Sequence, residues 1–151
     1  MGQKGLQTVY LILLYIHIVS AILSIGPLFV LLPLLKRMQT ASYEQMTSYL
    51  VTFQISIALV KHAGHVVVPS GMLLVWLGGY SWLTSWVVLT FAVMIGSVFF
   101  LARAFKPTIR TFATPHYNQA IFVQRLTRAV WLYILLLLIM LWLMVAKPIL
   151  W

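Results

Sequence analysis

Between Thr8 and Leu35 the sequence carries no charged side chain. A chain entering hydrocarbon must satisfy every backbone N–H and C=O internally, and about 20 apolar residues of α-helix cross a bilayer. The run therefore reads as a transmembrane helix. It is too long for a secretory signal, whose apolar core covers only about 7–15 residues. Three further apolar runs follow, and the spans are predicted at roughly 8–35, 50–77, 82–105 and 126–146. The expected fold is all-α: one membrane domain over residues 1–151, a four-helix transmembrane bundle running up-down-up-down.

Local signals set the expected ends. Ser42-Tyr43-Glu44-Gln45 has the spacing of a capping box, so the second helix should begin outside the hydrocarbon. Gly78-Gly79-Tyr80-Ser81 reads as a tight turn with Ser81 as cap of the third helix, which makes helices two and three antiparallel neighbours. Thr114-Pro115 fits a cap followed by a first-turn proline, starting the fourth helix near His116, and Lys147-Pro148 ends it. Pro27 should kink the first helix or loosen its last turns.

Ten Lys and Arg face a single acid, Glu44, for a formal charge of +9. In a chain that is 63% hydrophobic and 7% charged, with mean hydropathy +1.03, those bases flank apolar runs. Their expected counterpart is an anionic lipid headgroup and not a nucleic acid. Loops one and three hold Lys36, Arg37, Arg103, Lys106, Arg110, Arg125 and Arg128, against Lys4 and Lys147 on the other side. The positive-inside rule then places those loops in the cytoplasm and both termini outside. Tyr10, Tyr80, Trp82, Trp86 and Trp151 suit the outer interfacial belt. The absence of cysteine excludes a disulfide, a thiolate metal site and covalent haem attachment.

Polar chemistry inside the spans concentrates on helices one and two. His17, Ser20 and Ser24 share a stripe of the first, while Gln54, Lys61, His62 and His65 punctuate the second around Ala63-Gly64. Ionisable groups at membrane depth are expensive and normally have a task. His17 lies roughly 14 Å and His65 roughly 18 Å from the outer helix ends at 1.5 Å per residue, close enough in height to bracket one ligand. The sharpest reading is haem b held by His17 and His65, with Gly64 admitting the porphyrin, Lys61 or Arg103 pairing a propionate, and His62 as an auxiliary group. The role would be electron transfer or haem handling. Against it stands plain helix packing, in which these histidines bond to Ser20, Ser24 or a carbonyl freed by proline. The chain would then be a non-catalytic accessory subunit of a larger, respiratory-type membrane complex.

Other chemistries lack parts. No carboxylate lies inside a span for proton-coupled transport, and His62-Ala63-Gly64-His65 offers neither a third zinc ligand nor a general base. Quinone binding between helices one and two stays open, as does a small-ligand or metal carrier using Lys61 and His62. His116, beside Pro115, reads as an ordinary interfacial residue, and the methionines and aromatics of helices three and four read as packing.

His17 with Gly26 nine residues on, Val67-Val68-Pro69-Ser70-Gly71, Gly78-Gly79-Tyr80-Ser81 and Trp86 together resemble a bacterial membrane family known as domain of unknown function 2269. The resemblance spans essentially the whole chain. It implies four helices in a bacterial plasma membrane and assigns no activity. A more distant likeness to copper-resistance D-like and haem-associated membrane proteins rests on the early histidine and favours haem by analogy.

Overall fold

In the computed structural model, which describes residues 2–112, 114 and 117–151, four helices follow one another: α1 (Gln3–Met38), α2 (Tyr43–Leu77), α3 (Ser85–Arg110) and α4 (Gln119–Ala146). No strand occurs among the described residues, and all four helices are long and apolar enough to cross a membrane. The chain is a multi-pass membrane protein of the all-α class. At 36 residues α1 measures roughly 54 Å, well beyond the roughly 30 Å of hydrocarbon. α2, at 35 residues, is nearly as long.

The expected capping box is present. Ser42 Oγ accepts from Gln45 N, and Gln45 Oε1 accepts from Ser42 N. The other caps differ from expectation. Ser81 lies in a turn ahead of α3, which starts only at Ser85 after Thr84, because Thr84 N already bonds back to Ser81 O. α4 begins at Gln119, and Asn118 supplies the cap by accepting from Ile121 N. Pro115 and His116, where its start was expected, lie outside the described residues. α1 continues through Pro27 and Pro33 to Met38. Each proline removes one donor, and the buried Leu28, Leu31 and Leu35 hold the following turns against their neighbours.

α1 packs along α2, α3 packs along α4, and α1 also meets α4. The expected close pairing of α2 with α3 holds only near their ends. At one, the Phe53 and Phe105 rings meet at a tilt with their centroids 5.7 Å apart; at the other, Val75 packs with Trp86 and Val87. Between those points the two helices stand apart, because the short turn fixes only one end and α2 is already committed to α1.

The loop-bearing end, where most bases lie, is packed most tightly. Leu28, Leu31, Leu35, Met38, Met46, Phe53, Val123 and Leu126 are essentially inaccessible there. A clamp closes it: Gln119 Nε2 donates to Met38 O at 2.8 Å and to Ala41 O at 3.0 Å, satisfying carbonyls that the end of α1 leaves free. At the opposite end Ser85 Oγ donates to Pro148 O and accepts from Leu150 N, while Trp151 Nε1 donates to Leu83 O. The Gln119→Ala variant is expected to lose about 1 kcal/mol, since water can replace only part of the clamp. A thermal melt in detergent should show a fall of a few degrees, and an unchanged midpoint would remove the clamp from the account.

Candidate functional site

Among the described residues His17 is the buried histidine, seated in the seam between α1 and α2. Its Nδ1 lies 3.1 Å from Val67 O and 2.9 Å from Ser70 Oγ. A carbonyl can only accept, so Nδ1 carries the proton and the neutral ring keeps its lone pair on Nε2. The Ser70 hydroxyl is turned to its own helix, donating to Val66 O at 2.7 Å. An imidazole whose Nδ1–H is held by a backbone carbonyl is the arrangement that orients Nε2 for a metal.

Gly71 makes room for the ring. A Cβ built at that position would stand 3.0 Å from His17 Cε1. Gly64, expected to admit a flat ligand, has open space where its Cβ would be. The close approach thus belongs to the glycine of the Pro69-Ser70-Gly71 segment.

Two cavities meet at His17. The smaller, about 590 Å³, runs among all four helices towards the chain termini, past Leu14, Ile22, Trp86 and Phe91 to Tyr80 and Lys147. Lys147 Nζ donates to Tyr80 OH at 2.8 Å and sits over the Tyr80 and Trp86 rings. Lys147 also takes the left-handed conformation that ends α4. The larger cavity, about 1140 Å³, fills the gap between α2 and α3 with α1 and α4 as its floor. His17, Met94, Met140 and Met144 line both cavities. An imidazole and three thioethers thus border the junction.

The remaining expected residues separate. Ser20 is buried and donates to Ile16 O within α1. Ser24 Oγ is buried, lines the larger cavity and has no hydrogen-bond partner among the described residues. Lys61, Gly64 and His65 line the larger cavity too, with Lys61 and His65 exposed. His65 leaves α2 roughly 140–160° around the helix from Val67 and Ser70, so its ring and that of His17 approach from different faces. His62 lines neither cavity; its ring lies 6.3 Å from that of His65 on the outward face. Arg103 lies over the Phe99 ring and also lines neither. Among the described residues no group of three or more His, Asp or Glu side chains could hold a metal ion.

Sequence reasoning gave no role in the site to Gly71, Lys147 or the three methionines. Methionines on apolar helices carry no signal of their own, and Lys147 reads as a helix terminator until the fold turns it over Tyr80. No family model matches the chain, and no curated protein or solved structure resembles it at a significant level.

Gly71→Ala is expected to displace the His17 ring, because the added methyl meets Cε1 at 3.0 Å while the helix itself gains up to about 1 kcal/mol from alanine. Nitrogen NMR of labelled histidine should report the weakened Nδ1–H bond as a changed ring shift. A wild-type shift in the variant would show that the ring has slack.

Proposed function

We propose that the protein binds haem b in the smaller cavity, with His17 Nε2 as axial ligand, and serves electron transfer or haem handling in a bacterial plasma membrane. The observation that carries the reading is the His17 bond to the Val67 carbonyl, which fixes the tautomer a ligand needs at the mouth of an apolar cavity. About 590 Å³ lies within the usual range of roughly 300–1,000 Å³ for small-molecule sites. Lys147 at the far end offers a propionate its countercharge, in the place first expected of Lys61 or Arg103.

The second axial position has two claimants. His65 was expected there from its height on α2, but it comes from another face of that helix. Met94, Met140 and Met144 border the junction together with His17, and a thioether opposite an imidazole is an established haem ligand set that raises the reduction potential. We assign the position to this methionine group. In this reading the loop end, which carries most of the bases, faces the cytoplasm, as the positive-inside rule leads one to expect. The Val67-to-Gly71 segment is where His17 docks.

An absorption spectrum of protein purified from membranes, with haem supplied, decides the matter. Wild type should show a Soret band, His17→Ala should lose it, and His65→Ala should keep it. Colourless wild type would end the haem reading in favour of an accessory subunit. A band lost only in His65→Ala would return the iron to the larger cavity.

A further inference from the structure

The larger cavity has a character of its own. It opens between α2 and α3, which touch only near their ends, so its mouth is a slot between two membrane-spanning helices. Three bases line it, Lys61, Lys106 and Arg110, and no acid does. The chain's one acid, Glu44, sits in the first turn of α2 and lines neither cavity. Most of the remaining wall is apolar, including Ile57, Val60, Val98, Leu101, Leu137 and Leu141.

The charges are graded along the slot. Lys106 and Arg110 lie at and beyond the Phe53–Phe105 contact, on the loop-bearing side. Lys61 lies eight residues from Phe53 along α2, roughly 12 Å deeper. Its flexible stem is long enough to reach back towards the same end. A cation at that depth needs an anion, and no span of this chain supplies one.

We infer that this slot binds one anionic membrane lipid, its headgroup on Lys106 and Arg110 and its acyl chain along the gap between α2 and α3. The two end contacts decide what fits. A helix of about 10 Å diameter cannot pass both the Phe53–Phe105 and the Val75–Trp86 closures, whereas an acyl chain entering between them can. A second copy of this chain has no acid within its spans to meet Lys61. A water-soluble anion would leave the apolar wall uncovered. The buried Ser24 hydroxyl, which lines the slot and has no partner among the described residues, supplies a hydrogen bond to an ester or headgroup oxygen that reaches it. The site needs no haem, since Lys61, Lys106 and Arg110 line only the larger cavity.

The test reads lipid retention. Protein in mild detergent is exchanged against mixed vesicles of phosphatidylglycerol and phosphatidylcholine, and bound lipid is counted by native mass spectrometry. Wild type should keep one phosphatidylglycerol in preference to phosphatidylcholine. The K106Q/R110Q double variant should weaken that preference at least tenfold. Both residues are exposed, so the fold should stand, and helical circular dichroism checks it. Val98→Trp, which fills the slot without altering charge, should lose the lipid as well. Inorganic phosphate alone should not stabilise the protein against heat, while phosphatidylglycerol should. Equal retention of the two lipids, retention in either variant, or stabilisation by phosphate equal to that by the lipid would each overturn the inference.

Discussion

Water drives apolar side chains together, and hydrocarbon does not. In a bilayer, then, helices are held together by close fit and by polar contacts, and this protein uses both. Its least accessible residues gather at the loop-bearing end, beside most of the bases. There the four helices close on Leu28, Leu31, Leu35, Met46, Phe53 and Leu126. Further along, where lipid can solvate an apolar face as well as a neighbouring helix can, α2 and α3 part and the cavities appear. The tight end acts as a base from which the looser half is held.

Within the looser half one polar contact fixes the geometry. Burying an imidazole without a partner costs a few kcal/mol, so His17 must find one, and it does so on α2 through Val67 O and Ser70 Oγ. This pins α1 to α2 at cavity height. Gly71 removes the one side chain that would stand in the ring's way, and Ser70 spends its proton on Val66 O, leaving its oxygen free to accept. Sequence neighbours in Val67-Val68-Pro69-Ser70-Gly71 thus form a single socket.

The helices and the capping box were legible because their signals are local: apolar length, and Ser42 three residues before Gln45. The loop preceding α4 was harder, since Thr114-Pro115 and Asn118 compete as starts and only tertiary contacts such as Gln119 with Met38 O favour the later one. His17 was identifiable as a buried polar group, yet its partner was not. Ser20 and Ser24 are near it in sequence, and the ring bonds to another helix. The pairing of His17 with His65 rested on height along two rods. Height says nothing about azimuth, and two residues along an α-helix turn a side chain by about 200°. Met94, Met140 and Met144 illustrate the same gap: each looks like packing alone, and only the crossing of α1, α3 and α4 gathers them.

The polar residues of α2 follow from this division of labour. α2 is the least apolar of the four helices, with a peak mean hydropathy of 1.4 against 2.5, 2.2 and 2.7 for α1, α3 and α4. A helix that packs against lipid on all but one side gains by being apolar. α2 gives one face to α1 through Ala63, Val67, Ser70 and Leu74, and its flank with Gln54, Lys61 and His65 borders the slot. Were α3 packed along that flank, Lys61 and His65 would be buried together in a site with no acid to offset them, at several kcal/mol. Keeping the two helices apart avoids that penalty and leaves the charge accessible to a guest. The cavity is therefore a consequence of the residues that line it: in an α2 rebuilt with leucine at Gln54, Lys61 and His65, that penalty would no longer hold the two helices apart.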